Sequence, residues 1–133
     1  MLKTFHGSCH CGAVTYEADL DLSAGTSRCN CTICTKSRNW GIGIKPDAFR
    51  LTAGEDNLAD YSRSDAAHHR FCRTCGIKTH GHGEIPEIGG AYVSVVLATL
   101  NDVTPEELIA APVTYCDGRN NNWWNPPAET RHL

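Results

Sequence analysis

The chain has 133 residues, 41% of them hydrophobic, enough for one domain around one core and too few for two. Its formal net charge is -3, with no basic run and no aromatic residues interleaved with Arg and Lys, which excludes a nucleic-acid surface. The first ten residues lack the apolar stretch of a signal peptide, and no window nears the length of a bilayer span. A cytoplasmic, non-membrane protein is therefore expected.

Short strands broken by turns dominate the pattern. Val14, Tyr16 and Ala18 alternate with Thr15, Glu17 and Asp19, a period of two that begins directly after Cys9-His10-Cys11-Gly12. Further strands are expected at 40–44, 49–52, 58–63, 68–71, 77–80 and 113–115, with Gly, Pro, Asn or Asp at most breaks. The almost continuously apolar stretch 92–97 reads as a strand covered on both faces. Helix is scarce. A short turn is expected at 31–37, and Thr104-Pro105-Glu106-Glu107 carries the signals of a helix start: an N-cap, a proline at the first helical position and a capping-box glutamate. Residues 120–133 show no periodicity and read as a C-terminal coil. The expectation is a mainly β single domain over 1–133.

Seven of the eight cysteines fall in three clusters, Cys9/Cys11, Cys29/Cys31/Cys34 and Cys72/Cys75. One-residue gaps strain a disulfide but suit two thiolates on one metal, and a reducing compartment disfavours disulfides in any case. Four thiolates close a tetrahedral zinc site, so seven divide into four plus three. Cys72-Arg73-Thr74-Cys75-Gly76 is a knuckle whose two-residue gap lets a tight turn aim both sulfurs at one ion. Gly76 permits the left-handed backbone such a turn often needs. Paired with Cys9 and Cys11, it would staple the first strand to the middle of the chain. Cys29, Cys31 and Cys34 let one loop wrap a second ion from three sides, leaving a position open to substrate. A fourth protein ligand would close it, the candidates being Cys116, His10, His80 and His82. Two zinc ions on seven thiolates would bring the net charge to about -6.

In order and spacing, Gly7-Ser8-Cys9-His10-Cys11-Gly12, Cys29-Asn30-Cys31-Thr32-Ile33-Cys34 and Phe71-Cys72-Arg73-Thr74-Cys75-Gly76 resemble the glutathione-dependent formaldehyde-activating enzyme family, which includes centromere protein V. The resemblance covers nearly the whole chain. It implies a beta-tent fold, a structural zinc on Cys9, Cys11, Cys72 and Cys75, and a catalytic zinc on Cys29, Cys31 and Cys34. It also implies a carbon-sulfur lyase that joins formaldehyde to glutathione, its co-substrate, as S-(hydroxymethyl)glutathione. Where the family often carries Leu-Asp-Asp, this chain has Leu100-Asn101-Asp102.

Other side chains are candidates for the same chemistry. His80 and His82 fall on one face of a strand, while His68 and His69 fall on opposite faces, so one of that pair at most joins a site. Trp40, Trp123 and Trp124 are expected in the core or as walls of a cleft. Arg38, Arg119 and Arg131 suit the carboxylates of glutathione. Two other functions stay open. One is a binding module with both zincs structural; the other is a reductase of the methionine sulfoxide type, for which Cys116 is the only cysteine outside the clusters.

Overall fold

The computed structural model describes all 133 residues, and its architecture is mainly β: ten strands and two six-residue α-helices. β1 (Lys3–Ser8), β2 (Thr15–Leu20) and β5 (Phe49–Ala53) make a three-stranded antiparallel sheet in the order β1-β2-β5. The larger sheet takes β3 (Thr26–Cys29), β4 (Gly41–Ile44), β6 (Leu58–Ser64), β7 (Ala67–Cys72), β8 (Lys78–Ile85), β9 (Gly90–Val96) and β10 (Val113–Cys116). Their order is β10-β3-β4-β9-β8-β7-β6, with β10 and β3 parallel and the rest antiparallel.

The period-two pattern of β2 aims Tyr16, Ala18 and Leu20 at the larger sheet, where they meet Ile42, Val93, Val95 and Leu97. Each fully buried Leu or Val side chain among them contributes about 1.5–3 kcal/mol. Tyr16 closes the layer with a 2.6 Å hydrogen bond to the Thr99 hydroxyl. Its ring occupies the space that a Cβ on Gly7 would need, and so fixes a glycine in β1. A smaller cluster of Cys9, Val14, Leu58 and Cys72 lies under the first knuckle.

The expectation for 92–97 is corrected. Val93 and Val95 are buried, but Tyr92, Ser94 and Val96 on the alternate face are only half-buried, because the second sheet covers one side alone. α2 (Pro105–Ala110) starts as expected, with Glu107 N–H donating to the Thr104 hydroxyl and Thr104 N–H to the Glu107 carboxylate. α1 (Thr32–Ser37) is a single turn and a half, begun by Cys31 as its N-cap. Residues 121–133 hold no helix or strand, and Asp117 and Asn122 form an isolated bridge. No helix is long and apolar enough to cross a membrane.

Candidate metal centres

The loop between β1 and β2 carries Cys9 and Cys11, while Cys72 ends β7 and Cys75 lies in the turn that follows it. Gly12 and Gly76, one residue past each pair, hold φ of 81° and 79°, the left-handed turn that lets both sulfurs face inward. All four Sγ atoms lie within 4.8 Å of one another. A tetrahedron with metal–sulfur bonds of about 2.3 Å has sulfur–sulfur edges of about 3.8 Å. Cys9–Cys11 at 3.7 Å and Cys11–Cys72 at 3.6 Å fit that frame. The sulfurs also receive donors: Val14 N–H to Cys9 at 3.3 Å, and Asn57 Nδ2 and Thr74 N–H to Cys72 at 3.1 and 3.3 Å. N–H donation from Cys11 and Ile77 pulls the Cys75 thiol down to about 6, the direction a metal ligand needs.

Cys29, Cys31 and Cys34 form the second group, again with all Sγ atoms within 4.8 Å. β3 delivers Cys29, the N-cap of α1 is Cys31, and the first turn of α1 adds Cys34. The three thiols cannot all ionise side by side. The neighbouring Cys29 and Cys34 thiols and the Cys34 and Ile33 N–H groups hold Cys31 far below the ordinary thiol range, while Cys29 and Cys31 push Cys34 far above it. A cation is what lets all three be thiolates at once, so the donor set fits a thiophilic metal such as zinc.

Asn30 holds this loop. Its Nδ2 donates to Asp117 Oδ1 at 2.8 Å, its Oδ1 accepts from Arg119 N–H at 2.9 Å, and its carbonyl accepts from the Thr35 hydroxyl and Arg119 Nε, both at 3.0 Å. Sequence reasoning passed over Asn30, whose side-chain partners lie almost ninety positions away.

The two centres differ in what faces them. The three-cysteine group lies between a cleft and a small back pocket. Cys29 and Cys34 line the back pocket together with Arg38, His132 and Leu133. Cys31 lines the cleft, of about 770 Å³, with Lys36, Tyr61, Arg63, His69, Arg119 and Trp123. Every charged side chain on that lining is basic, in a chain of net charge -3.

The structure sorts the remaining candidates. None of Cys116, His10, His80 and His82 joins the three-cysteine group, which stops at three ligand atoms. Cys116 lies beside Cys29 in the parallel β10/β3 ladder. Burial raises its thiol, and the charges of Cys29 and Cys31 add to the shift, the reverse of what a free nucleophile requires. His80 sits in the core, its ring 4.4 Å from that of Phe49, and His82 stacks on His68 at 4.8 Å. His68 pairs with Asp60, whereas His69, on the opposite face, reaches the cleft.

Trp40 packs against the core and donates from Nε1 to the Thr26 hydroxyl at 2.8 Å, and so walls no cleft. Trp123 does line the cleft, while Trp124 is exposed. Of the three arginines only Arg119 faces the cleft. Arg38 donates to the His132 carbonyl, and Arg131 pairs with Glu129. Asn101 Nδ2 donates to the Ser8 hydroxyl, and Asp102 accepts from His6, so both act as braces for β1. Lys36, Tyr61, Arg63 and Lys78 went unnoticed in the sequence: Lys36 rides on α1 just past Cys31, whereas only the sheet order brings Tyr61 and Arg63 to the same cleft and Lys78 to His69.

A family model described as "Glutathione-dependent formaldehyde-activating enzyme" matches residues 4–117. Among solved structures, the chain is similar to a Rhodobacter sphaeroides protein known from a crystal structure. The two are 34% identical with a TM-score of 0.68, and the match covers 82% of this chain and 99% of that one.

Proposed function

The chain belongs to the glutathione-dependent formaldehyde-activating enzyme family, and from that premise we propose that it is a zinc-dependent enzyme of the carbon-sulfur lyase type, which forms or cleaves S-(hydroxymethyl)glutathione. In this reading Cys9, Cys11, Cys72 and Cys75 hold a structural zinc, and Cys29, Cys31 and Cys34 hold a second zinc with one position free, two ions per chain. The observation that carries it is the asymmetry of the two centres: only the three-cysteine group borders a roomy, basic cleft.

The chemistry that zinc supplies there is Lewis acidity, which favours the thiolate form of an arriving thiol near neutral pH. The chain's own residues do the rest. Glutathione carries two carboxylates, and Lys36, Arg63 and Arg119 give the cleft three cations to receive them. Tyr61 and Trp123 supply apolar walls that displace water from the peptide backbone of the ligand. Held this way, the sulfur is directed toward Cys31, and a small aldehyde needs only to meet an oriented nucleophile.

The test is exchange NMR on formaldehyde and glutathione at equilibrium. The zinc-loaded protein should speed the interconversion of free and adduct resonances in proportion to its concentration. Tight glutathione binding with an unaltered exchange rate would contradict catalysis and leave a thiol-binding module with both metals structural.

A further inference from the structure

Lys78 Nζ lies 2.8 Å from Nδ1 of His69, and His69 stands on the wall of the cleft that Cys31 lines. The fold builds the contact deliberately. His69 is opposite Gly81 in the β7/β8 ladder, and the Lys78 stem passes 3.9 Å from where a Gly81 Cβ would sit. A bulge between Arg70 and Phe71 shifts the register, so that Lys78 reaches the face His69 occupies. On its other side the His69 ring stacks with Tyr61 at 6.1 Å.

An ammonium only donates, so Lys78 makes Nδ1 the acceptor and leaves the ring hydrogen on Nε2. Burial, and then the Lys78 charge, lower the His69 pKa, which keeps the ring neutral near pH 7. Nε2–H has no protein partner to accept its hydrogen bond.

Resting on the functional reading above, we propose that His69 is a catalytic residue whose Nε2–H serves the carbonyl oxygen of the aldehyde, and that Lys78 is the positioning residue that fixes this tautomer. In the forward direction the thiol gives its proton to water and its sulfur forms a bond to the carbonyl carbon. The C=O π pair moves to oxygen. That oxygen takes the Nε2 proton as Lys78 passes one to Nδ1; Nδ1 then hands its proton back to Lys78 as water returns the thiol's proton to Nε2, which restores the starting tautomer. No oxidant or reductant enters, and cleavage is the reverse.

The experiment pairs the exchange measurement with 15N NMR of the histidine rings in the zinc-loaded protein. The wild-type His69 should show the Nε2–H tautomer. Lys78→Met should mix the two tautomers and Lys78→Arg should restore the first. His69→Phe should cut the acceleration of exchange about 100-fold, the usual scale of acid–base assistance, with glutathione affinity unchanged. A His69 ring protonated at Nδ1, or a His69→Phe protein as fast as wild type, would overturn the assignment while leaving the functional reading in place. A wild-type protein that binds glutathione without speeding exchange would overturn both.

Discussion

Asn30 and Asp117, 87 positions apart, meet through a 2.8 Å hydrogen bond that ties the three-cysteine loop to the end of β10. Asn30 is buried and every polar atom of its side chain is engaged, so Asn30→Ala strands the Arg119 N–H and leaves Asp117 Oδ1 with only its longer hydrogen bond from Asn120. The expected cost is about 1–3 kcal/mol in denaturant unfolding. Metal retention at Cys29, Cys31 and Cys34 should weaken alongside it, and retention at the other four cysteines should not.

Gly118 approaches the same centre from behind. A Cβ there would lie 2.7 Å from Cys29 Sγ and 2.5 Å from the Trp123 ring. Gly118→Ala therefore forces Cys29 or Trp123 to move, a strain of about 1–3 kcal/mol. Competitive chelation should register this as roughly tenfold or more weaker zinc binding at one of two sites.

Removing a cleft cation tests substrate recognition apart from chemistry. Lys36→Ala and Arg63→Ala should each raise KM for glutathione about tenfold, the scale of one charge-assisted hydrogen bond, with kcat little changed. The effect should shrink as salt rises, and glutathione diesters should be insensitive to both changes. A fall in kcat at constant KM would assign these side chains a different task.

His80 predicts a pH dependence. Burial, aided by Arg70, His82 and Lys78, depresses its pKa to about 4, against about 6.5 when unfolded. Below pH 6.5 the unfolded chain takes a proton that the folded one refuses, so stability is present above that pH and is lost as pH falls toward 4. The loss attributable to this group is up to about 3 kcal/mol. Thiolate protonation also acts in acid, but it acts equally in a His80→Gln variant. The difference between the two unfolding curves across pH 4–7 should therefore isolate the histidine.

The cysteine clusters were legible because metal ligation imposes local spacing, and Gly12 and Gly76 carry its turn signature. The capping box at Thr104 was legible for the same reason, since both of its hydrogen bonds close within three residues. β1 and β3 were not. In β1 the inward positions include Gly7, which packs by lacking a side chain, and in β3 the buried residue is Thr26, whose hydroxyl donates to the Pro112 carbonyl. β8 runs past the expected 77–80 through Gly81 and Gly83, glycines at positions that the backbone carbonyls of His68 and Ala66 crowd. The split of His68 and His69 across two faces did follow from strand geometry. Which of the two met the cleft depended on the sheet order, and that is set by pairings distant in sequence.

The central claim is a division of labour between a closed four-thiolate centre and an open three-thiolate one. Cobalt in place of zinc reads both through thiolate charge-transfer and ligand-field bands. On titration with glutathione, the account predicts that the bands of one cobalt change with saturation while the other stays fixed, and that Cys31→Ser abolishes the change without unfolding the protein. Two cobalt centres that both ignore glutathione would contradict it.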